Sequence, residues 1–285
     1  NWENHWQEVA DYMMPRKANI TKRRTRGDKR NELIFDSSPL QALELLAASL
    51  HGMMTNPSTP WFTLKFKDAQ MDQNDEAKLW LESVTADMYT AFNRSNFQQE
   101  IFELYHDLIT FGTAAMYIEE DDEDLLKFST KHIAEIFIAE DDKGRIDTVY
   151  RKFTLSARAL VQKFGNKVSQ NIKVMSEKDP YQDVDILHCV YPRADFNPKL
   201  KDQENMPFES VYLEMGSGDE LSVSGFKEFP YVVPRYLKAS HEIYGRSPAM
   251  TALPDVKMLN EMSKTTIKAA QKQVDPPLLV PDDGF

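Results

Sequence analysis

The sequence predicts an α+β fold, on three observations about the spacing of its apolar residues. Over residues 1–110 the apolar residues recur mainly at intervals of three and four, the spacing of amphipathic helices. After Gly112 the interval changes to two, the spacing of half-buried strands. From Ser247 onward a helical spacing returns. We therefore expect helices first, a β-rich centre and a long helix at the end.

The amino-acid composition excludes several classes of protein. The 285 residues include 41% apolar residues, enough for a real core, and only 10 glycines and 15 prolines. No apolar run approaches the roughly 20 residues that span a bilayer, so we expect no membrane association. The single cysteine, Cys189, cannot form an internal disulfide, and no basic-then-apolar leader precedes the first helix. We expect a chain that folds in a reducing cytoplasm.

The first third of the chain predicts helices with short connections. Pro15 ends the first helical pattern, and Ser37-Ser38-Pro39 is typical of the start of the next. The predicted helices cover residues 1–14, 38–52, 74–91 and 96–110, and the alternating stretch 61–66 predicts a short strand.

The centre of the chain predicts strands joined by tight turns. Gly144 supplies the positive φ that one of these turns demands, and Ser156 is typical of the cap of a short helix that ends at Gly165. Six consecutive carboxylates, Glu119–Asp124, would repel one another in any regular element, so we place them at a solvated hairpin tip. The predicted strands lie at 115–118, 126–128, 133–139, 146–155, 184–191, 208–214, 220–226 and 231–236.

The last predicted element is a helix. Ser247-Pro248 is typical of a helix start, and Pro254 predicts that the helix restarts there. The apolar spacing then continues to Val274, which makes about 19 residues and roughly 28 Å. Its apolar content is one-sided, so it would be poorly held as a lone surface helix, whereas packing against copies of itself would bury both flanks. We predict an assembly helix.

Charge is distributed unevenly along the chain. The formal net charge is -11, which argues against a protein whose whole surface binds a phosphate backbone. The segment from Pro15 to Arg30 is the exception, with Asp28 as its only acidic residue. We expect an exposed basic arm that contacts either an acidic surface of a neighbouring copy or nucleic-acid phosphates. Its candidate contact residues are Arg16, Lys17, Lys22, Arg23, Arg24, Arg26, Lys29 and Arg30.

A second group of cations lies on the last helix. Lys257, Lys264, Lys268 and Lys272 are separated by seven, four and four residues, which places them roughly on one stripe opposite the apolar one. Such a stripe is usually a solvated face. If the helices form a closed ring, the copies of each lysine around the ring form a belt of positive charge that faces the lumen or a partner. These four lysines are the candidate DNA-channel or subunit-contact residues.

The sequence contains no pattern typical of an enzyme. A P-loop, a His-Glu-x-x-His motif, a Cys-x-x-Cys pair and a nucleophile elbow are all missing, and the six histidines are scattered. Cys189 lies in an apolar strand pattern and is interpreted as a small buried hydrophobe. Glu119–Asp124 lacks the glycine and the spaced ligands of a calcium loop. We therefore predict no catalytic, cofactor-binding or metal-binding residue, and no enzymatic activity.

Several phrases of the sequence, taken together and in order, carry a resemblance to a known family. The Tyr244-Gly-Arg-Ser-Pro to Asp275-Pro-Pro stretch is the most specific of them. The phrases are Trp2–Pro15 with the basic segment after it, Phe35–Ser38, Leu45–Leu50, Asn56-Pro57 before Trp61-Phe62, Ser95–Phe97, Phe111–Ala115, Phe229–Tyr236, Tyr244–Ala249, Leu253–Asn260 and Val274–Leu278. The sequence resembles the portal, or head-to-tail connector, proteins of short-tailed double-stranded DNA bacteriophages.

This resemblance implies a non-enzymatic ring of about twelve copies at one capsid vertex, around a channel for DNA packaging and ejection. It implies a wing region at 1–240, a stem helix at 241–274 and the start of a clip region at 275–285. The implied partners are further copies of the chain, double-stranded DNA, the terminase large subunit, and tail adaptor, scaffolding and major capsid proteins. The implied locations are the virion and, during assembly, the host cytoplasm.

Two further expectations accompany this resemblance. The rest of the family's clip, stem and crown does not follow residue 285, and the chain begins at Asn1 without an initiator methionine, so we expect a piece of something longer. The alternative function is another oligomeric nucleic-acid-binding structural module that uses the basic arm at 16–30. Strong salt-sensitive binding by the monomer would favour that alternative.

Overall fold

The computed structural model describes residues 1–22, 25, 27–67, 74–200 and 202–276. Within these ranges the chain forms both helices and antiparallel strands, so the predicted α+β class is confirmed. The helices are α1 (Trp2–Met13), α2 (Ser38–Met54), α3 (Asp75–Arg94), α4 (Phe97–Phe111), α5 (Ala157–Phe164), α6 (Gln170–Lys178) and α7 (Pro248–Val274). The strands are β1 (Ala115–Asp121), β2 (Leu125–Lys131), β3 (Ile136–Glu140), β4 (Ile146–Ser156), β5 (Asp183–Pro192), β6 (Phe208–Glu214), β7 (Glu220–Phe226) and β8 (Tyr231–Val232).

The described strands form two antiparallel sheets. One sheet has the order β2-β1-β8, and the other has the order β3-β4-β5-β6-β7. In the larger sheet every neighbour pair is consecutive along the chain, which is the arrangement that short turns favour. The β3–β4 turn ends at Gly144 with a φ of 74°, as predicted from the turn sequence.

Three groups of buried side chains hold these elements together. The first lies among α1, α2, α4, α7 and the small sheet, and includes Val9 and Phe111. The second lies between the two sheets and includes Val149. The third lies under α5 and α6, where Leu160 and Ile186 are fully buried. The helical group contains the start of α7, so the last helix is part of the main core.

The strand predicted at 61–66 is wrong. The exposure of these residues does alternate, but the segment pairs with no strand of the described chain. Instead, the amides of Trp61 and Phe62 each donate to the hydroxyl of Tyr89 on α3, both at 2.7 Å. Because side-chain hydroxyls of a helix satisfy these amides, the segment needs no neighbouring strand.

Smaller differences also have physical reasons. The strand predicted at 231–236 is only two residues long, and it ends before Pro234, which has no amide to donate to a ladder. Glu119–Asp121 lies within β1, contrary to the expectation that these carboxylates avoid regular structure. Glu120 is exposed and the other two are partly exposed, and Lys127 lies 3.5 Å from Glu119, which limits the repulsion. The remaining carboxylates form the predicted hairpin tip. Helix α6 was not predicted.

The last helix is longer than predicted. It runs without interruption for 27 residues, roughly 40 Å, and Pro254 lies inside it rather than at a new start. Because proline lacks an amide, Pro254 costs one intrahelical hydrogen bond. The buried side chains of Met250 and Leu253 hold the first two turns against the core and offset that loss. Residues 241–247 of the predicted stem segment precede the helix.

A contact between two glycines joins α4, β1 and α7. Gly112 ends α4 in the left-handed conformation with a φ of 76°. A Cβ atom on Gly112 would lie 2.3 Å from the carbonyl oxygen of Gly245, and a Cβ on Gly245 would lie 2.3 Å from the carbonyl oxygen of Gly112. The two backbones can therefore approach this closely only because both residues are glycine.

We predict that Gly112→Ala destabilises the fold by more than about 2 kcal/mol, because it combines a strained φ with a backbone clash. The measurement is the free energy of unfolding in urea. Gly52→Ala is the matched control, since Gly52 lies inside α2 with no atom within 4 Å of an added Cβ. We expect that control to be neutral or stabilising by up to about 1 kcal/mol. Equal stability of the two variants would contradict the prediction.

Candidate functional surfaces on the last helix and the basic segment

The start of α7 is fixed to the core by hydrogen bonds as well as by apolar packing. The hydroxyl of Ser247 donates to the carbonyl oxygen of Thr110 at 2.8 Å and accepts from the amide of Met250 at 3.0 Å. The amide of Gly245 donates to the Thr113 hydroxyl at 2.8 Å. Ser247 thus caps α7 and at the same time gives the carbonyl oxygen of Thr110, in the last turn of α4, a hydrogen-bond donor.

The middle of α7 is held by a buried asparagine that the sequence reasoning missed. The side-chain amide of Asn260 donates to the carbonyl oxygen of Leu33 at 2.8 Å, and its carbonyl oxygen accepts from the amide of Phe35 at 2.7 Å. Asn260 lies four residues after the buried Val256 and seven after Leu253, so a polar residue on the apolar side of the helix was the available signal. It fixes the connection before α2 against α7.

The last part of α7 projects beyond the body of the chain. In residues 265–276, all within the described part of the chain, every side chain is exposed. This length corresponds to about 15 Å of helix up to Val274. These side chains contact little else in the described chain, so their surface is available to a partner. The assembly helix stays a prediction.

The structure divides the four candidate lysines into two pairs. Lys257 forms an ion pair with Glu8 of α1, and its ammonium lies 5.7 Å from the ring centre of Tyr12. Lys264 pairs with Glu261 at 2.9 Å on the same helix. Lys268 and Lys272 are exposed and form no hydrogen bond or ion pair with any described residue.

Most of the described cations of the basic segment are paired within the chain. Arg16 donates two hydrogen bonds of 2.9 Å to Glu103 on α4, and Lys17 lies 2.6 Å from the same carboxylate. Lys22 lies 2.8 Å from Asp11 on α1. These contacts hold the segment against the body. Lys17 is mostly buried, contrary to the expectation of an exposed arm, whereas the side chains of Arg16 and Lys22 are 53% and 54% exposed, as expected.

Two of the remaining cations of the segment, Arg30 and Lys29, also interact within the chain. Arg30 donates to the carbonyl oxygen of Arg16. Lys29 also makes an interaction within the chain. Arg23, Arg24 and Arg26 lie outside the described residues. Their contact with phosphates or with a neighbouring copy remains a prediction.

Two carboxylates that contact the basic segment have pKa values shifted in opposite directions. Burial would raise the pKa of Glu103, but the hydrogen bonds from Arg16 and Lys17 outweigh it and lower the pKa to about 2. Burial raises the pKa of Asp107 to about 6, although Lys17 lies 2.5 Å from its carboxylate and opposes the shift. Lys17 thus contacts two carboxylates whose pKa values differ because Asp107 is fully buried and Glu103 is not.

The described residues form no candidate metal site. No three of the histidines, cysteine and carboxylates in these ranges are arranged to hold a metal ion. His188 is buried between Ser210 at 3.0 Å and Tyr231 at 3.3 Å, and burial lowers its pKa to about 3. Cys189 is buried, as predicted, and burial raises the pKa of its thiol. Among the described helices, none combines the length and apolar character needed to span a bilayer.

We predict that Glu103→Gln lowers the free energy of unfolding by about 1–2 kcal/mol at pH 7. The pKa of Glu103 is lower in the folded state than its ordinary value of 4.5, so its contribution is present above pH 4.5 and is lost as the pH falls toward 2. Urea denaturation at pH 7 and pH 3 should therefore show a difference from the unmodified chain that shrinks at pH 3. Glu177→Gln, at an exposed carboxylate of α6, is the control and should change little. A loss that is equal at both pH values would contradict this assignment.

Comparison with known proteins assigns the chain to a family. The family profile of the bacteriophage head to tail connecting protein matches residues 1–285. The chain is 34% identical over 286 residues to the probable portal protein of Bordetella phage BPP-1, and 34% identical over 287 residues to the portal protein of Salmonella phage epsilon15. Each alignment covers 99% of this chain and 52% of the relative, so the chain spans about half the length of these curated relatives. The chain belongs to the bacteriophage head-to-tail connecting proteins, as the order of its sequence phrases predicted.

Proposed function

We propose that this chain forms part of a portal ring at one capsid vertex, with a central channel through which double-stranded DNA is packaged and ejected. The observation that carries the proposal is the projecting part of α7, residues 265–274, which is exposed on every side. It bears Lys268 and Lys272, the two lysines of the stripe that form no ion pair with any described residue. Membership of the connector family supports it. So do the names of the two relatives, which are portal proteins.

Packing between copies would cover the exposed apolar side chains of α7. Its exposed side chains include the apolar residues Met258, Met262 and Ile267. A closed ring of copies would cover these side chains on both flanks without leaving an unpaired end. About twelve copies would follow the family's plan. In this arrangement residues 1–240 are the wing, 241–274 the stem and 275–285 the start of the clip, of which 277–285 lie outside the described residues.

The charges of the chain suit a conduit rather than a tight DNA-binding protein. Each phosphate that a protein neutralises adds affinity, which moving DNA must break at every step. The body of the chain is acidic, and only Lys268 and Lys272 of the stripe are unpaired among the described residues. We expect contacts with DNA to be weak and independent of sequence, so that these lysines tune retention.

The ring itself would catalyse no reaction and need no cofactor. Its partners would be the terminase large subunit, which hydrolyses ATP during packaging, and then the tail adaptor, together with scaffolding and major capsid proteins. Assembly would take place in the host cytoplasm, and the finished ring would lie in the virion. No observation in the described residues favours the alternative module that uses residues 16–30, because Arg16, Lys17 and Lys22 already pair with carboxylates of the same chain.

We expect the purified chain to assemble into rings with a central hole. Native mass spectrometry measures the number of copies, and class averages of negatively stained particles measure the symmetry. The expected result is closed rings of about twelve copies. A chain that remains monomeric at all concentrations, both alone and within any longer protein that contains it, would reject the proposed function.

We predict that Lys268→Gln together with Lys272→Gln leaves ring assembly intact and weakens DNA binding several-fold at low salt. The affinity should also depend less steeply on salt, because fewer counterions are released. Fluorescence anisotropy of a short labelled duplex, measured over a range of salt concentrations, gives both quantities. Lys257→Gln is the matched control, since Lys257 already pairs with Glu8. Binding curves that are identical for the double variant and the unmodified ring would contradict a channel role for these lysines.

A further inference from the structure

The basic segment and the lysines of α7 are far apart in sequence but adjacent in the structure. Near the starts of α1 and α7, the guanidinium of Arg246 lies 5.3 Å from the ring centre of Trp2. Further along both helices, Lys257 pairs with Glu8. Helices α1 and α7 therefore lie side by side and run in the same direction. The basic segment begins at Pro15, just after the end of α1, and so lies beside the middle of α7.

The chain that follows the basic segment returns to α7 on the side that carries the lysines. The side-chain amide of Asn260 donates to the carbonyl oxygen of Leu33. The ammonium of Lys264 lies 5.7 Å from the ring centre of Phe35. The buried Val256, Asn260 and Lys264 are each four residues apart, which places them on one side of the helix. The next two lysines of the stripe keep this spacing, so they extend the side of α7 that faces the body of the chain.

Arg30 of the basic segment lies within reach of these lysines. It is three residues before Leu33, which corresponds to at most about 11 Å of chain. Lys268 is two turns beyond Asn260, which binds Leu33, and this is roughly 12 Å along the helix. Arg30 donates to the carbonyl oxygen of Arg16, a neutral group, so this contact leaves the charge of Arg30 uncompensated. One stretch of an anionic polymer can therefore meet both the segment and the helix.

This region is basic, whereas the rest of the chain is strongly acidic. Residues 16–36 contain eight Lys and Arg residues and three carboxylates, and residues 256–274 contain four lysines and one carboxylate. The chain as a whole has a formal net charge of -11. Five cations of the region are already compensated by carboxylates of the same chain, namely Arg16, Lys17, Lys22, Lys257 and Lys264. The remaining described cations include Arg30, Lys268 and Lys272, which are left to bind an external anion.

We infer that Arg30, Lys268 and Lys272 form one phosphate-binding surface that contacts the backbone of a single DNA duplex. The inference rests on the proposed function for the identity of its ligand, and it extends the DNA contacts from the projecting helix to the body of the chain. One turn of duplex is about 34 Å long, which exceeds the chain length from Arg30 to Leu33 and the helix length from Asn260 to Lys268 taken together. Phosphate oxygens accept hydrogen bonds from arginine and lysine whatever the base sequence, so the surface holds moving DNA without selecting a site.

Photo-cross-linking tests this surface directly. The variants Arg30→Cys and Lys268→Cys, each labelled with a benzophenone maleimide, should both form covalent products with a short labelled duplex at low salt. The native Cys189 is buried, so it contributes little background. Arg145→Cys is the control and should give little DNA product, because Arg145 is exposed at the β3–β4 turn, outside this region. DNA products at position 268 and none at position 30 would overturn the inference. Products at position 30 with a second copy of the chain, in place of DNA, would overturn it too, because the segment would then contact a neighbouring copy.

The salt dependence of DNA binding provides a second, independent measurement. Arg30→Gln should weaken binding of the same duplex and lower the slope of log affinity against log salt by about 1 for each copy that contacts the duplex, because one fewer phosphate is neutralised. Arg145→Gln is the matched control and should leave the slope unchanged. An unchanged slope in Arg30→Gln, with a reduced slope in the Lys268 and Lys272 double variant, would overturn the inference and leave the proposed function standing. Because the surface lies within one copy, both measurements apply whether or not rings close, whereas the absence of rings rejects only the proposed function.

Discussion

The rest of the structure depends on the close approach of Gly112 and Gly245. The carbonyl oxygen of Gly112 also accepts from the amide of Tyr236 at 2.9 Å, so the end of α4 is joined both to the segment after β8 and to the segment before α7. Any side chain at either glycine would separate these backbones, and the Ser247 hydroxyl would then lose its position next to Thr110. The direction of α7 is therefore set by a contact more than a hundred residues apart in sequence. The projecting part of α7 inherits its direction from that contact.

Electrostatics in this chain serve two separate purposes. Near α1 and α4 the cations face carboxylates, and these pairs are long-range in sequence and partly buried, as for Lys17 with Asp107. Such pairs specify where the basic segment lies, because a buried carboxylate without a cation would be costly. On the distal part of α7, Lys268 and Lys272 form no ion pair with a described residue and are exposed, so their field extends into solvent. Folding thus uses the first group of charges and leaves the second group for an external partner.

The sequence predicted which lysines lie on the last helix, but not which of them form ion pairs within the chain. The spacing of Lys257, Lys264, Lys268 and Lys272 correctly indicated one side of a helix. It could not indicate that Glu8 neutralises the first of them, because Glu8 is nearly 250 positions away and is brought near by the packing of α1 on α7. The basic segment was identified from its composition, but its pairing with Glu103 and Asp11 could not be predicted for the same reason. A local sequence pattern shows which residues are charged, whereas the residue that pairs with each charge is set by long-range packing.

The sequence by itself determined the α+β class, most helix and strand positions, the turn at Gly144 and the family, because periodicity, capping residues and ordered phrases are local features. Only the tertiary structure decided that residues 61–66 form no strand, since the hydroxyl of Tyr89 replaces the missing neighbour. It also decided that α7 continues through Pro254, because the buried first turns outweigh one lost hydrogen bond. It also decided which apolar side chains of α2 are buried. Leu43 and Ala47 pack in the helical core, whereas Leu45 stays 70% exposed, because a helix can place only one face against a single core.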